Sequence, residues 1–253
     1  MKNKKGQILL ITVMLLATVM TIVLSISFKS VTETQVTKLE EESQKALAAA
    51  ESAIDVALKE NQNVTIGAGS LSSITGFEGS ATVESLTSKT FTTPDIPKDG
   101  GSYTFYLGDY NLTQKTIGSS IAQDITICFE SGDTNPAIEI NLVKSSGVKK
   151  YVVDPSSRIT NASTGSSICI PDSNYGFSYT VPGTDIGADG QFLLVRIFYS
   201  PTRLFFSRTS DFPVQGRTIS SQATSSTSTG VSKKIVLFQS YPQIPGEFFT
   251  TTF

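Results

Sequence analysis

Residues 8–28 read Ile-Leu-Leu-Ile-Thr-Val-Met-Leu-Leu-Ala-Thr-Val-Met-Thr-Ile-Val-Leu-Ser-Ile-Ser-Phe, 21 positions without a charge. At a rise of about 1.5 Å per residue this run makes a helix of roughly 31 Å, the hydrocarbon thickness of a bilayer. It lies inside a longer stretch, between Lys5 and Lys29, that carries no ionisable side chain. Lys2, Lys4 and Lys5 stand directly in front of it. The positive-inside rule therefore predicts a cytoplasmic N-terminus and an exported remainder. An ordinary secretory signal has a shorter apolar core followed by a small-residue cleavage site, whereas here the run passes straight into Ser27-Phe28-Lys29-Ser30-Val31. A lipoprotein signal is excluded as well, because neither cysteine lies near it.

The helix is expected to outlast the membrane. From Lys29 to Glu60 there is no Pro and no Gly, and the strong helix formers Ala, Leu, Glu, Lys and Gln dominate. Apolar residues recur as Leu39, Ala46/Leu47, Ala50, Ala53/Ile54 and Ala57/Leu58, the spacing of one buried face. Glu40, Glu41, Lys45, Glu51, Asp55 and Lys59 occupy the other. Asn61-Gln62-Asn63, with Gly67 and Gly69 close behind, marks the end. The alternative to one face packed on a domain is a coiled coil, but the periodic part covers only about three heptads and is rich in Ala.

These residues resemble a known family. A short basic leader ending in Gly6, an uncharged apolar run from Gln7 and an amphipathic continuation of the same helix look like a class III leader and the N-terminus of a type IV pilin. The stretch Glu40–Ala53, EEESQKALAAAESA, resembles the alanine-rich stretch of PilX-type minor pilins, and the plan is similar to that of K-type minor pseudopilins. The resemblance implies cleavage by a prepilin peptidase after Gly6, N-methylation of Gln7, and packing of the apolar helix among other pilin subunits in a filament core. The chain departs from the family at two positions: the usual aromatic at the first mature position is Gln7, and the usual Glu at the fifth is Ile11. In the family that Glu balances a neighbour's buried amine, and an amine buried without a partner is costly. The departures imply a minor or tip subunit rather than the repeating bulk of a fibre.

After Asn63 the texture changes to short alternating runs separated by turn residues. Strands are expected at Ser102–Leu107, Asp124–Glu130, Ala137–Val143, Lys149–Val153, Ser167–Ile170, Gly176–Val181, Phe192–Tyr199, Arg203–Ser207, Arg217–Ala223, Ser232–Ser240 and Phe248–Phe253. Phe192–Tyr199 and Lys234–Phe238 are the most apolar, and are expected at the centre, against the Ala-rich helix face. Tyr241–Phe249, with Pro242 and Pro245, is expected across a sheet edge. The fold class is then α+β, a long helix packed on an antiparallel β-sandwich-like domain. Its divisions are a leader at 1–6, a helix at 7–60 of which 8–28 spans the membrane, a weakly structured connector at 61–101 with one strand around Ala81–Leu86, and an extracellular β-rich domain at 102–253.

Composition narrows the chemistry. The 253 residues include no His and no Trp, 20 Lys+Arg against 22 Asp+Glu, and two Cys. Only 17% are charged, against roughly 25% in an ordinary domain, while Ser and Thr supply about a quarter. Without histidine there is no Ser-His-Asp triad, Cys-His pair or imidazole metal ligand, and the near-neutral charge offers no basic surface for nucleic acid. No enzyme activity, cofactor or metal site is expected. Cys128 and Cys169 fall in the exported part, where disulfides form, and an even count suits a pair; two separate buried thiols are the alternative. Asp185-Ile186-Gly187-Ala188-Asp189-Gly190 has a faint look of a calcium loop but lacks the third-position oxygen and the closing Glu, so it reads as a turn. Asn63, Asn111 and Asn161 match the glycosylation acceptor string, as a hydroxyl-rich chain does by chance. Glu40-Glu41-Glu42 reads as a solvated helix face, or in a filament as a docking surface.

The function expected is that of a minor type IV pilin. It waits in the cytoplasmic membrane with its N-terminus inside, is cleaved, and enters a surface filament through its helix. Loss of the three leader lysines leaves 17 Lys+Arg against 22 Asp+Glu and takes the formal charge from −2 to −5. The alternatives are a tip adhesin whose hydroxyl-rich Ser220–Gly230 meets a surface or glycan, a secretion pseudopilin, and a signal-anchored extracellular β domain.

Overall fold

The computed structural model describes residues 5–98, 101–226 and 230–249, the side chains of 5–8 and 249 excepted. Along the chain come α1 (Lys5–Glu60), β1 (Val64–Thr65), a 3-10 turn (Gly69–Leu71), β2 (Phe77–Glu84), β3 (Thr90–Thr92), β4 (Ser102–Tyr106), and a small hairpin of β5 (Tyr110–Asn111) and β6 (Thr116–Ile117). Then follow β7 (Ile125–Phe129), β8 (Ala137–Lys144), β9 (Gly147–Val153), β10 (Phe177–Val181), one-turn α2 (Gly183–Ile186), β11 (Gly190–Phe198), β12 (Leu204–Ser207), β13 (Gly216–Ser225), β14 (Ser232–Ser240) and a closing 3-10 turn (Gly246–Phe249). The chain is α+β, and every strand pairing whose register is defined is antiparallel. Contacts divide it into two compact units, one of positions up to 83 with 219–237 and the other of 84–218 with 238 onward.

In the first unit the sheet order is β1-β2-β13-β14. One face of α1 packs on it: Ala49, Ala50, Ala53, Ile54 and Ala57 form a core with Val64, Ile66, Leu71, Ala81, Ile219 and Ala223. The three-and-four spacing sets this face, and alanine lets the helix axis come close to the strands. Asn61, at φ 53°, ends the helix in the left-handed conformation that asparagine tolerates. The seat begins only at Ala46, and Leu39 and Leu47 are exposed, so the buried face is shorter than the apolar periodicity suggests.

In the second unit two sheets, β10-β7-β12-β3 and β4-β11-β8-β9, enclose one core. Leu193 of β11 stands opposite both Phe105 and Leu142, and Phe105 stacks on Phe206 of the other sheet at 4.1 Å. The open edge of β4 is capped by side chains. Gln215 Oε1 accepts from Tyr106 N–H at 2.9 Å while its Nε2 donates to the Tyr106 carbonyl at 2.8 Å. Two residues along, Gln243 Oε1 accepts from Thr104 N–H at 2.7 Å. Each primary amide imitates the peptide of a missing strand, and the C-terminal segment is held there by Tyr106 Oη donating to the Pro242 carbonyl at 2.6 Å. The edge is thereby closed to another chain.

Five expectations need correction. β11 is central in its own sheet, but the alanine face of α1 rests on β1, β2 and β13 instead. β14 is an edge strand with Val236, Leu237 and Phe238 exposed, although its composition suits a core. Ser167–Ile170 is not a strand: Ile168 and Ile170 point outward and only Cys169 is buried. The final expected strand is a 3-10 turn over Gly246–Phe249, and residues 250–253 lie outside the described residues. Residues 61–101, read as weakly structured, contain the eight-residue β2. Gly79 hides that strand from its sequence, yet the strand requires it: φ is 149°, and a Cβ there would stand 1.9 Å from the Gln222 carbonyl oxygen.

Candidate functional site

The candidate site is the uncovered part of α1. Residues 9–41 are exposed throughout, about 50 Å of helix on which no other part of the described chain rests. Its most apolar window has a mean hydropathy of 2.7, so the helix is long and apolar enough to cross a membrane. Fourteen large apolar side chains between Leu9 and Phe28 stand 46–71% exposed. At about 1.5–3 kcal/mol for full burial of each, tens of kcal/mol favour an apolar surrounding over water. The hydroxyls in the run do not oppose this. Thr12, Thr18 and Thr21 donate to the carbonyls of Leu9, Leu15 and Thr18 at 2.8–3.0 Å, so their polar atoms are met within the helix. The expected cleavage position lies at the start of this helix: the backbone is helical at Gly6 and Gln7, while Met1–Lys4 lie outside the described residues.

Between the apolar run and the alanine seat is a polar stalk. Thr32, Thr34 and Thr37 bond back to carbonyls four residues earlier, Lys29 lies 3.8 Å from Glu33 and Lys45 2.6 Å from Glu41. The Lys45 contact holds the Glu41 carboxyl below its ordinary range. Such exposed pairs are screened by water and each adds little, but their spacing one turn apart favours helix where no packing helps it.

Cys128 and Cys169 are joined as a disulfide. Cys128 lies on β7, opposite Phe205 and Ser178, and the bond packs with Tyr175 and Phe205. It fastens the long β9–β10 connection, which Asp154 also gathers. The Asp154 carboxylate accepts from the N–H groups of Ser156, Arg158 and Ile159 and from the Arg158 guanidinium at 2.7 Å. Burial pushes this carboxyl up, but those donors outweigh it and hold the group below its ordinary value. Ser166 then pairs with Ser178 in both directions along the β10 edge.

The faint calcium loop is the end of α2 and its short link to β11, and its carboxylates are already occupied. Asp185 meets Lys149 at 2.6 Å and the Tyr151 hydroxyl at 2.7 Å, and Asp189 meets Ser146 at 2.6 Å and Lys144 at 3.0 Å. These contacts keep both carboxyls below their ordinary range. Among the described residues no three His, Cys, Asp or Glu side chains converge as metal ligands. Asn63 and Asn111 serve the fold: their Oδ1 atoms accept from Val83 N–H, and from Thr113 and Gln114 N–H. Of the hydroxyl-rich Ser220–Gly230, residues 220–225 belong to β13 and 227–229 lie outside the described residues. The structure also places a charge where none was expected. Glu139 of β8 is fully buried beside Asn141 Nδ2 at 2.7 Å, with Lys150 at 3.6 Å and Arg196 at 3.8 Å from neighbouring strands. Only the cross-strand register brings these four together.

No protein-family model and no curated protein matches the chain.

Proposed function

We propose that the chain is a minor subunit of a type IV pilin-like filament, held in the cytoplasmic membrane by residues 8–28 and drawn into the filament after cleavage behind Gly6. The observation that carries this reading is one unbroken helix with two surfaces. Its stretch from Leu9 to Phe28 is uncovered and apolar, and from Ala46 onward the same helix is seated by alanines on a β sheet. A simple anchor needs only the first. A rigid continuation into the domain makes the apolar segment a handle by which the domain can be moved and placed among other helices. Membrane and filament core are equivalent solvents for fourteen uncovered apolar side chains. Transfer between them is therefore close to neutral in hydrophobic energy, and van der Waals packing decides it. With Ile11 in place of a carboxylate, this subunit offers a neighbour's terminal amine no partner, which suits a position of low copy number.

Gly6→Ala tests the reading. The variant should accumulate in membranes at precursor size and be missing from sheared filaments. Mature-sized variant in the filament fraction would refute it.

A further inference from the structure

A buried carboxylate on β8 bridges an amine and a primary amide. Glu139 and Asn141 are two positions apart on β8, so their side chains share one face of the sheet, and the β8–β9 register sets Lys150 directly opposite Asn141. Asn141 Nδ2 donates to Glu139 Oε1 at 2.7 Å, and Lys150 Nζ stands 3.6 Å from that same oxygen. Glu139 is fully buried and Asn141 is 1% exposed. On their other flank β11 sets Arg196 opposite Glu139 and the buried Leu194 opposite Asn141. As a structural ion pair the arrangement is poor. Glu139 Oε2 is buried without a hydrogen bond, and Lys150 and Arg196 both stand beyond hydrogen-bond distance from the carboxylate, at 3.6 and 3.8 Å. A buried carboxylate so incompletely bonded lowers stability, and a group of this kind calls for a chemical reason.

The three groups are those that amide exchange requires: a nucleophilic amine, a carbonyl carbon bearing a nitrogen leaving group, and an acid–base group in reach of both nitrogens. We propose that Lys150 and Asn141 join through an intramolecular isopeptide bond, with Glu139 as the catalytic residue. Lys150 gives a proton to Glu139 Oε1 and becomes a neutral amine, the nucleophilic form. Its Nζ lone pair attacks Asn141 Cγ, and the strand register holds the two side chains as neighbours. The carboxyl group then carries a proton from Nζ to Nδ2, already its hydrogen-bond partner. The Cγ–Nδ2 bond breaks as the carbonyl reforms. In sum, one ammonium side chain and one primary amide become a secondary amide and an ammonium ion, the carboxylate is regenerated, and nothing is oxidised or reduced. Arg196 remains beside Oε2 as the counter-charge of Glu139, and the 30% exposure of the Lys150 side chain leaves the ammonium ion a way out. The bond ties β9, the last strand of its sheet, to β8, so that this edge cannot peel away under tension.

The test is mass spectrometry of the full chain, reduced at its disulfide and made in a host without a prepilin peptidase. That host matters because an N-terminal Gln7 would itself lose ammonia on cyclising; keeping the leader also makes the readout independent of the assembly reading. The wild type should weigh about 17 Da less than its sequence requires, the mass of one ammonia. After trypsin, the fragments that carry Asn141 and Lys150 should stay joined, although Lys144 and Lys149 lie between them. Lys150→Arg and Asn141→Ala should each restore the full mass and separate the fragments. Glu139→Gln keeps both reacting groups and the volume of the buried side chain, and should also remain unlinked while melting as a folded domain. A wild type of full mass with separate fragments would overturn the proposal, and needs no variant to fold. A deficit that persists in Lys150→Arg would overturn it as well, and a link that forms in Glu139→Gln would overturn the role given to Glu139.

Discussion

Cutting the Cys128–Cys169 bond is the perturbation whose size the structure sets most directly. The bond closes a loop of sequence separation 41, and the chain-entropy relation assigns a loop of that size about 4 kcal/mol of stabilisation, exerted on the unfolded chain. The Asp154 cluster and the Ser166–Ser178 pairing hold the same connection in the folded state. The native loop is therefore expected to persist once the bond is gone, and the loss to appear as an entropy gain on unfolding. For a body of about 150 residues, 1 kcal/mol moves the melting temperature by about 2–4 °C, so Cys128→Ala with Cys169→Ala should lower it by about 8–16 °C. Calorimetry of the full chain in lipid nanodiscs, with and without reductant, measures this. Wild type in reductant should shift in the same direction as the double variant, and the double variant should ignore the reductant. A shift below about 3 °C in both would refute the reasoning, because a loop of this size would then be confined in the unfolded chain by something other than the bond.

Two further outcomes follow from packing and charge. Ala53→Leu enlarges a fully buried side chain where α1 meets the sheet and should cost about 1–3 kcal/mol, whereas Ala17→Leu in the uncovered run should leave the melt unchanged; equal effects would mean that the seat is not where the helix is held. Asp154 has a folded-state pKa below its unfolded one, so its contribution is complete above the unfolded value and is lost as pH falls through the folded one. Melting temperature should therefore drop below about pH 4, and the drop should be smaller in Asp154→Asn; identical profiles would contradict the role assigned to this carboxylate.

The long helix was legible because nothing between Lys5 and Glu60 but Gly6 breaks it and its alanines recur at one spacing. Strands β4 and β7 to β14 were legible as strands because each is a short run of apolar or alternating residues bounded by turn residues. The misreadings share a cause, since each depends on what lies across from a residue. Gly79 and its hydroxyl neighbours blur β2, and the reason for that glycine is a carbonyl more than 140 positions away. Ile235-Val236-Leu237-Phe238 reads as a core strand, and only sheet order places it at an edge. Gln215 and Gln243 look like any surface glutamine until the register shows which amide groups of β4 they serve.

The central claim is that the leader is removed so that the apolar helix can leave the membrane for a filament. Mass spectrometry of the N-terminus of the native, surface-sheared protein tests it most directly. The account predicts a chain that begins at Gln7 and carries one N-methyl group. A surface-sheared chain that still begins at Met1 would contradict it and would leave residues 8–28 as a simple anchor.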